Sequence, residues 1–350
     1  MQGMTVRVGI IGASGFTGAE LLRLLATHPD LELVVATGDS QAGTAVADLY
    51  PSLAAAYPDL VFAPATEGIA DEHGLDLVFC GLPHGTSQAI VPGLLDGNRT
   101  VVDLAADFRL KDASLYPRWY GEEHTVPELL PDAVYGLPEL FRKDLVGAKL
   151  IATPGCYVTT ATLALAPFLA GGLVEPTGIV VDAASGVSGA GRPPKPTTSF
   201  CTVDEDFTAY GVLNHRHTPE IEQNLTHVAG ETAQVIFTPH LAPMNRGILA
   251  TCYARPTQAV TTESLRSTLH DAYDAEPFVV VRDTPPSTKA TLGSQQVHVT
   301  AYADERTGWV VAIAALDNLT KGASGGAIQA ANVALGLDET AGLPLVGMYP

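Results

Sequence analysis

The spacing of hydrophobic positions changes sharply near the start of the chain. Residues 5–11 (TVRVGII) form a short run of apolar and β-branched side chains, which predicts a strand. Residues 19–27 (AELLRLLAT) carry leucines at helical spacing and predict a helix. Between them lie Gly12, Gly15 and Gly18 in the sequence GASGFTG. The pattern therefore predicts a strand, a glycine-rich turn and a helix, in that order.

The alternation of strands and helices continues through the first half of the chain. An apolar run at 31–37 predicts a second strand, and residues 75–81 (LDLVFCG) predict a third, which is followed by the turn LPHG. A helix is predicted at 87–95 and a strand at 100–104. Strands that alternate with helices are typical of a parallel sheet, so this half predicts a Rossmann-type α/β domain.

The second half of the chain has a different pattern, in which few helices separate the strands. Such a sequence favours antiparallel pairing and predicts an α+β domain with a mostly antiparallel sheet. Residues 43–64 have no pattern that predicts an element. The predicted strands are 179–184, 232–239, 248–254, 297–302 and 309–315, and the predicted helices are 219–228, 262–275 and the Ala-rich 322–335.

These patterns also predict how the chain divides into domains. The fold class is α/β, with a Rossmann dinucleotide-binding domain and a second, α+β domain. We expect the first to comprise residues 1–153 together with 321–350, because the last helix can return to it, and the second to comprise 154–320. At 350 residues the chain is long enough for two domains with hydrophobic cores of their own.

The glycine turn fits a dinucleotide-binding site. Gly12 permits a tight turn, Gly15 lets the backbone approach a pyrophosphate, and Gly18 allows the helix to pack closely on the strand. The spacing is GxxGxxG rather than the usual GxGxxG, and a glycine turn also joins strands to helices without any ligand. After the second strand, Asp39 favours the ribose hydroxyls of NAD, whereas Ser40 favours a 2′-phosphate. The residues alone leave NAD and NADP both open.

Composition and charge exclude several classes of function. The formal net charge is −19, which opposes binding to nucleic acid or to anionic membranes. The chain has no run of about 18 apolar residues, and residues 1–4 do not resemble a secretory leader. The four cysteines are scattered without a CxxC pair or His/Cys ligand spacing, so we expect no metal site. We therefore expect a reduced, cytoplasmic protein.

Cys156 is the residue with the strongest indication of chemistry. It follows a Pro-Gly turn in the segment IATPGCYVTTAT and is predicted to be the first residue of a helix. The N–H groups and partial positive charge of a helix N-terminus lower the pKa of a thiol, and the same N–H groups stabilise an oxyanion beside it. A small buried cysteine is the alternative. The turn and the helix start favour a nucleophile.

Two histidines precede a later helix in the segment NHRHTPEIE. Thr218 is a suitable N-cap and Pro219 a suitable first helical residue, so His217 is expected on a loop just before the helix. A histidine in that place can take a proton from a thiol and return it later. His215 lies two residues away, and spacing alone does not separate the two. A solvent-exposed or packing histidine is the alternative.

Basic side chains in loops are notable in so acidic a chain, because an anionic ligand needs them. Arg109 follows a predicted Rossmann strand, and Arg246 lies in the loop PMNRG. Arg192 and Lys195, after the segment SGVSGAG, are further candidates. Arginine binds phosphate or carboxylate through two parallel hydrogen bonds. A solvated charge or a local ion pair is the alternative for each.

Several motifs in combination resemble the N-acetyl-γ-glutamyl-phosphate reductase family, which belongs to the same group as aspartate-semialdehyde dehydrogenase. The resemblance covers nearly the whole chain and implies NADPH-dependent reduction of N-acetylglutamyl 5-phosphate to the semialdehyde, with release of phosphate, in arginine biosynthesis. It implies that Cys156 is the nucleophile, that His217 is the acid–base and that Asn318 lies near the nicotinamide. It also implies a homodimer or homotetramer whose second domain carries catalysis and subunit contacts. The motifs are GASGFTGAEL, PGCYVT, SGVSGAGR, HRHTPEI, PMNRG and DNLTKGASG.

The motifs and the resemblance together assign the site residues. We expect NADP as the cofactor, a small acyl phosphate as the substrate and no metal ion. Arg109, Arg246 and His215 are assigned to substrate binding. The residues assigned to the cofactor are Gly12, Ser14, Gly15, Phe16, Thr17, Gly18, Ser40, Leu82, Pro83, Ser188, Gly189 and Asn318.

The chemistry of an acyl phosphate is consistent with these residues. Attack by the Cys156 thiolate would expel phosphate and leave a thioester for hydride reduction, while His217 transfers protons. Two alternatives remain. Aspartate-semialdehyde dehydrogenase would use the same cysteine and histidine on a different substrate. A dinucleotide-sensing protein that binds NADP without turnover explains the glycine turn but gives no role to Cys156 or His217.

Overall fold

The chain folds into two sheets, each at the centre of a compact unit. The computed structural model describes residues 5–97 and 99–349. Unit 1 comprises Met1–Ser114, Glu123–Pro154 and Ala323–Leu343, and unit 2 comprises Leu115–Glu122, Gly155–Gly322 and Pro344–Pro350. The expectation about a leader concerns residues 1–4, which lie outside the described residues.

Strands and helices are numbered separately along the chain. The strands are β1 Val6–Ile11, β2 Leu31–Ala36, β3 Leu77–Cys80, β4 Thr100–Asp103, β5 Val134–Tyr135, β6 Leu150–Ala152, β7 Ile179–Ser185, β8 Thr208–Ala209, β9 Val235–Leu241, β10 Ile248–Ala254, β11 Val279–Val281, β12 Val297–Asp304 and β13 Trp309–Leu316. The helices are α1 Phe16–Leu25, α2 Val46–Leu49, α3 Ile69–Glu72, α4 Ser87–Leu95, α5 Tyr116–Tyr120, α6 Pro138–Leu145, α7 Cys156–Ala170, α8 Phe200–Val203, α9 Thr218–Ala229, α10 Thr262–Tyr273, α11 Thr288–Thr291 and α12 Gly325–Leu335. None of the described helices is both long and apolar enough to cross a membrane.

Unit 1 is built on a six-stranded, wholly parallel sheet. The strand order is β2-β1-β3-β4-β6-β5, and every pairing in it is parallel. β3 and β4 are buried along their whole lengths, as expected for strands that are covered on both faces. The predicted Rossmann-type α/β architecture is confirmed. The strands that the sequence pattern missed, β5 and β6, are only 2 and 3 residues long.

The glycine turn between β1 and α1 ends earlier than predicted. α1 starts at Phe16 rather than at residue 19, because Gly15 has an extended backbone conformation (φ −83°, ψ 174°) and serves as its N-cap. Gly12 has a positive φ of 83°, and a Cβ atom there would lie 2.6 Å from the carbonyl oxygen of Gly81. Glycine is therefore required at position 12 both for the turn and for the close approach of the chain that follows β3.

The closing helix packs within unit 1. α12 contacts α1, α6 and β4, and Nε2 of His28 lies 3.1 Å from Oδ1 of Asn332. The helix begins at Gly325 rather than at residue 322, because the preceding residues Thr320–Ser324 form a π turn. The expected return of the last helix to the first sheet is therefore what the structure contains.

The last residues of the chain belong to unit 2. The amide of Gln295 donates to the carbonyl of Pro344 (2.8 Å), and the amide of Met348 donates to the carbonyl of Leu292 (2.7 Å). Residues 344–350, like 115–122, therefore lie outside the unit to which the expected domain limits assign them.

Unit 2 is built on a seven-stranded mixed sheet with the order β11-β12-β13-β10-β7-β9-β8. Four of its pairings are antiparallel, which confirms the mostly antiparallel sheet predicted from the sequence. The pairings β7–β9 and β11–β12 are parallel, and the sequence pattern did not predict them. The reason is that α9 lies between β7 and β9 and α11 between β11 and β12, and a crossover of this kind returns the chain in the same direction.

α7 forms the centre of the unit 2 core. Every residue of this helix from Tyr157 to Leu169 is buried, and the helix packs against α9, β10 and β13. A helix that is buried on all sides lies in the protein interior, where close packing holds it rigidly. Cys156, its first residue, is thereby held at a fixed point of unit 2.

The sheet of unit 2 has one buried face and one face that is open within the unit. Residues along β7 and β10 alternate strictly between buried and half-buried positions. The buried positions lie in the core with α7. The half-buried positions on these strands and β13 include the apolar residues Val180, Leu249, Tyr253, Val311 and Ile313. We call this set the outer face of the sheet.

Candidate active site

Cys156 directly follows a tight turn and is the first residue of α7. The N-cap is Gly155, with an extended backbone conformation (φ −66°, ψ 143°), and as a glycine it has no side chain with which to cap the helix. The Cys156 side chain is half-buried. The first N–H groups of a helix carry partial positive charge, which favours a thiolate and a developing oxyanion. α7 begins at Cys156, as predicted.

The imidazole of His217 lies against the residue that precedes the cysteine. A Cβ atom on Gly155 would be 2.5 Å from Nε2 of His217 and 2.7 Å from its Cε1, so only glycine fits between the chain and the ring. In the π turn, a Cβ atom on Gly322 would be 2.9 Å from Cβ of Cys156. Two glycines therefore allow a histidine ring and a backbone turn to approach the cysteine closely.

The backbone around His217 differs from the prediction by one residue. His217 itself is the N-cap of α9, and Thr218, predicted to be the cap, is the first helical residue. The correction follows from His215, whose Nδ1 accepts the His217 N–H at 3.1 Å and so holds the turn one position earlier. The His217 side chain is buried, with 9% of its surface exposed, and it is therefore not a solvent histidine.

His215 lies in an aromatic cluster beside His217. Its ring makes edge-to-face contacts with the rings of His217, Tyr157 and Phe237, at centroid distances of 4.7, 5.8 and 5.3 Å. Burial, together with the positive charge of Arg216, lowers the pKa of His215 to about 4. His215 is therefore neutral at neutral pH, and the histidine that contacts the nucleophile turn is His217.

Two tyrosines near the cysteine were missed by the sequence analysis. The Tyr210 hydroxyl donates to the Tyr157 hydroxyl (3.2 Å), which donates to the carbonyl of His240 (3.0 Å). Burial raises the pKa of both hydroxyls, that of Tyr210 to about 12. They therefore stay protonated and act as hydrogen-bonding groups. Tyr157 follows Cys156 directly, so its place beside the thiol was available from the sequence.

The other cysteines are in settings that do not favour a thiolate. Cys80 and Cys252 are buried, and burial raises the pKa of both thiols. Cys201 is exposed, in the short helix α8. Of the cysteines in the described chain, Cys156 alone starts a long helix.

Asn318 joins two loops of unit 2 that the sequence assigned to ligands. Its Oδ1 accepts the amide of Gly247 (2.7 Å), and its Nδ2 donates to Oγ of Ser188 (3.0 Å). A Cβ atom on Gly189 would lie 3.8 Å from the same Nδ2. The structure therefore brings together Ser188, Gly189 and Asn318, three of the residues assigned to the cofactor.

Arg246 lies in the same constellation. Its Nε is 3.3 Å from Oδ2 of Asp317, which also accepts the amide of Gly293 at 2.7 Å. Asp317 is fully buried, and Oδ1 accepts the amides of Leu319 (2.9 Å) and Thr320 (3.0 Å). The guanidinium is thus oriented by a carboxylate that the backbone holds in place. A local ion pair, one of the alternatives for Arg246, is present.

The turn after β1 in unit 1 is shaped for a pyrophosphate. Nothing in the described chain lies within 4 Å of a Cβ atom placed on Gly15, so the space before the N-terminus of α1 is open. Gly18, by contrast, lies directly on the backbone of Ala13. The Tyr50 hydroxyl donates to the carbonyl of Ser14 (2.7 Å) and so helps to hold the turn in place. Because an open helix N-terminus binds anions, these residues fit a dinucleotide.

Some of the other unit 1 residues that were assigned to the cofactor also lie at this turn. Phe16 and Thr17 form the first turn of α1, and a Cβ atom on Gly12 would lie 3.2 Å from Cδ2 of Leu82. Ser40, like Asp39, is exposed in the turn after β2, and Pro83 is exposed after β3.

Arg109 is buried in unit 1 and is not a solvated surface charge. Only 7% of it is exposed, and its Nη2 donates to the carbonyl of Leu104 at 3.0 Å. It shares the carboxyl edge of the parallel sheet with the fully buried Asp103 and Asp107. Burial raises the pKa of Asp103 to about 7, although the Ser87 hydroxyl donates to this carboxylate at 2.7 Å.

Asp107 is the centre of a polar cluster that the sequence analysis missed. Its Oδ1 accepts the amide of Gly85 (2.8 Å) and lies 2.5 Å from Nδ1 of His84, while its carbonyl lies 2.7 Å from Nε2 of His124. Polar residues just after β3 and β4 lie where ligands gather in a parallel sheet, which is the signal that would have found them. No group of three or more His, Cys, Asp or Glu residues in the described chain is arranged to hold a metal ion.

Comparison with known proteins places both units in one family. A family model described as "Semialdehyde dehydrogenase, NAD binding domain" matches residues 7–148, and one described as "Semialdehyde dehydrogenase, dimerisation domain" matches residues 156–318. Among solved structures, aspartate semialdehyde dehydrogenase II from Vibrio cholerae (TM-score 0.71) and the enzyme from Candida albicans, solved with NADP (TM-score 0.70), each cover 94% of this chain and are covered to 98%. Both are 16% identical in sequence and show the fold.

Relatives found by sequence are much more similar to this chain than the solved structures are, and they indicate a narrower family. An N-acetyl-gamma-glutamyl-phosphate reductase from Magnetococcus marinus is 48% identical over all of both chains. One from Symbiobacterium thermophilum is 49% identical over 99% of this chain and all of its own. The resemblance drawn from the motifs is confirmed, and the NAD-binding domain that the sequence predicted is present. The chain therefore belongs to the semialdehyde dehydrogenase family of oxidoreductases and, within it, to the N-acetyl-gamma-glutamyl-phosphate reductases.

Proposed function

We propose that this chain reduces N-acetyl-L-glutamyl 5-phosphate to N-acetyl-L-glutamate 5-semialdehyde, with NADPH as reductant and release of inorganic phosphate, as a step of arginine biosynthesis. The observation that carries the proposal is the apposition of the His217 ring and Gly155, directly before Cys156 at the start of α7. A dinucleotide-sensing protein needs no such pair. The names of the full-length relatives supply the substrate.

Cys156 begins the reaction as the nucleophile. His217 takes the proton from Sγ, and the thiolate attacks the acyl carbon of the substrate. The bond between that carbon and the phosphate oxygen breaks, and the proton leaves with the phosphate. The N-acetylglutamyl group is then held on Cys156 as a thioester. The N-terminus of α7 favours both the thiolate and the oxyanion of the tetrahedral intermediate.

The second half of the reaction returns the thiol. When bound, NADPH would supply the hydride for the thioester carbonyl carbon. The oxyanion that results collapses to the aldehyde, and the carbon–sulfur bond breaks with its electron pair on Sγ. Cys156 regains a proton from solvent through His217. Holding the acyl group covalently at the end of a buried helix keeps the reacting carbon in place, which is a large part of the expected rate enhancement.

We propose that the cofactor is NADP rather than NAD. The glycine turn with Ser14, Phe16 and Thr17 would take the pyrophosphate at the N-terminus of α1. Ser40 would accept the 2′-phosphate, while Asp39 is the residue that would favour NAD instead. The Candida albicans relative by fold was solved with NADP. The remaining residues assigned to the cofactor are Leu82, Pro83, Ser188, Gly189 and Asn318.

We propose that Arg109, Arg246 and His215 bind the substrate. The substrate carries a phosphate and a carboxylate, and an acidic protein needs buried cations to hold them. The burial of Arg109 and the orientation of Arg246 by Asp317 support these roles, because a fixed guanidinium loses little freedom on binding. His215, which is neutral, would act as a hydrogen-bonding group.

We propose that the enzyme is a homodimer or homotetramer and works in the cytoplasm. The family model over residues 156–318 is described as a dimerisation domain. Apart from Asp182 and Thr251, the outer face of the unit 2 sheet is apolar and half-buried, and a second copy of the chain is the partner that would cover it. None of the four cysteines forms a disulfide, which suits a reducing compartment.

The reverse reaction gives the most direct test of the substrate. The enzyme is mixed with NADP⁺, phosphate and either N-acetylglutamate semialdehyde or aspartate semialdehyde, and NADPH formation is followed. Phosphate-dependent NADPH formation with the N-acetylated aldehyde supports the proposal. Preference for aspartate semialdehyde would make the chain an aspartate-semialdehyde dehydrogenase. Absence of turnover with both, together with tight NADPH binding, would favour the sensing protein.

A further inference from the structure

Glu220 connects the helix that carries the base to the turn that carries the nucleophile. Its carboxylate oxygen Oε1 accepts the amide of Gly155 at 2.9 Å. Glu220 is fully buried, with no measurable exposure. A buried carboxylate is costly unless it is well paired, so this hydrogen bond is a strong and specific one.

The bond is placed where it can set the geometry of the reacting groups. Gly155 is the N-cap of α7 and is joined directly to Cys156. Glu220 is the third residue of α9, and His217 is its N-cap, so both side chains leave the same first turn. Gly155 therefore receives the Glu220 carboxylate at its amide and the His217 ring against its Cα.

We propose that Glu220 is a positioning residue for catalysis: by fixing the Gly155 peptide, it sets the distance and direction of the Cys156 thiol relative to the His217 imidazole. The inference rests on the proposed roles of Cys156 and His217. A shift of about 1 Å between a nucleophile and its base costs on the order of 10²-fold in rate. Loss of this one buried hydrogen bond should therefore lower the rate by more than the strength of the bond alone would do. Glu220 touches neither substrate nor cofactor in this account.

The chain offers a matched control two residues further along the same helix. The carboxylate of Glu222 accepts the amide of Val235, the first residue of β9, at 3.1 Å. Glu222 is half-buried and makes the same kind of side-chain to backbone bond, but to a strand that does not carry the nucleophile. Loss of that bond should lower stability without affecting the thiol.

The experiment compares four variants, Glu220→Ala, Glu220→Gln, Glu220→Asp and Glu222→Ala, in a Cys201→Ser background that removes the exposed thiol. Two quantities are measured on the full chain. One is the rate at which iodoacetamide alkylates Cys156 without substrate, followed by mass spectrometry of the peptide. The other is kcat and KM of the reductase. Thermal unfolding is recorded for each variant.

Retention of the acceptor oxygen decides the expected outcome. Glu220→Gln keeps both the length of the side chain and its acceptor oxygen. The values of kcat and of the alkylation rate should therefore stay within about tenfold of those of the unmodified protein, because only the charge on the hydrogen bond is lost. Glu220→Asp keeps the charge but is too short to reach Gly155. It should lose about 10²-fold in kcat, as should Glu220→Ala, with a much smaller change in KM. Glu222→Ala should keep both rates and lose only stability.

Two results would overturn the proposal. One is a Glu220→Gln variant as impaired as Glu220→Asp, because an acceptor oxygen of unchanged reach would then not be enough to keep the Gly155 peptide and the thiol in place. The other is a loss in Glu220→Asp no larger than that in Glu222→Ala. The Asp and Gln variants decide the matter even where Glu220→Ala does not fold. Alkylation of Cys156 needs no substrate, so an error in the assigned substrate leaves this readout intact and is recognised separately.

Discussion

The Nε2 atom of His217 occupies the place that a side chain on Gly155 would take, 2.5 Å from the position of its Cβ. The contact explains why a glycine precedes the nucleophile even though its backbone does not require one: φ is −66° and ψ is 143°, a conformation open to any residue. Glycine is needed here because the imidazole of His217 fills the space that a side chain would occupy. The pair formed by the His217 ring and the Gly155 backbone is therefore the part of the structure on which the proposed chemistry depends most.

The first prediction tests that contact. In Gly155→Ala the new methyl group should displace the imidazole and lower kcat by about 10²-fold, because the base no longer faces the thiol. The fold should persist, since alanine adopts this backbone conformation freely. Steady-state kinetics and circular dichroism are the measurements. Gly93→Ala is the control, because Gly93 lies in α4 and a Cβ atom there meets nothing within 4 Å. Equal activity in the two variants would contradict the assigned place of His217.

The second prediction concerns which histidine is the base. His217→Asn should lower kcat by roughly 10²–10⁴-fold, the usual contribution of a positioned acid–base group. His215→Asn should cost less, because His215 is neutral at neutral pH and asparagine can still accept the His217 N–H. The kcat values of the two variants, measured side by side at pH values near neutrality, give the answer. A larger loss in His215→Asn would exchange the two roles.

The third prediction separates cofactor binding from folding. Gly15 has φ −83°, and a Cβ atom there meets no described atom within 4 Å, so Gly15→Val should fold, with a loss of about 1 kcal/mol because valine is a poorer N-cap than glycine. The valine would nevertheless fill the space in front of α1 and block the pyrophosphate, and NADPH binding should be lost. Titration with NADPH and thermal unfolding are the measurements.

A paired variant gives the contrast. Gly12 combines a φ of 83° with a close approach to Gly81, so Gly12→Val should lower stability as well as binding. Unchanged affinity in Gly15→Val would show that the glycine turn only connects β1 to α1. In the same titration the unmodified protein should bind NADPH more tightly than NADH, and the opposite order would assign the ribose end of the site to Asp39.

The fourth prediction concerns pH and Asp103. Burial raises the pKa of Asp103 from 3.8 to about 7 in the folded chain. Between these values the folded state holds a proton that the unfolded state has lost, so stability falls as pH rises through this window, by about 1.4 kcal/mol per pH unit at most. Asp103→Asn keeps an oxygen for the Ser87 hydroxyl and cannot ionise. In urea unfolding from about pH 4 to about pH 7, the two proteins should start with similar stability, because the acid and the amide are both neutral, and the unmodified protein should then lose stability relative to Asp103→Asn as pH rises. Parallel curves would show that Asp103 ionises normally.

The sequence predicted the elements that have a strong period of their own. The helix α4 at 87–95 and the strand β10 at 248–254 lie where the pattern placed them, because local spacing alone determines their type. The parallel pairings β7–β9 and β11–β12 were not predictable in the same way. The relative direction of two paired strands depends on the path of the chain that connects them. A single sequence does not show whether a long connection crosses over the sheet.

Residues with an unusual local setting were also found from the sequence. Cys156 and His217 stand at helix starts, and each is recognised from its neighbours in the chain. Glu220 and Asp107 were missed, because their roles come from partners far along the chain: Gly155 for Glu220, and His84 for Asp107. An acidic residue in the first turn of a helix is common enough to be explained by the helix dipole alone. Only the folded chain shows that this one reaches another helix.

The fifth prediction is that the acyl group is carried on the cysteine. The full chain is mixed with N-acetylglutamate semialdehyde and NADP⁺ in the absence of phosphate, quenched in acid and digested, and the peptide that contains Cys156 is weighed. We expect one N-acetylglutamyl group on this peptide, formed together with an equal amount of NADPH, removed by added phosphate and absent from Cys156→Ser. NADPH formation without the label, or the same label in the Cys156→Ser protein, would contradict a thioester on Cys156 and with it the proposed mechanism.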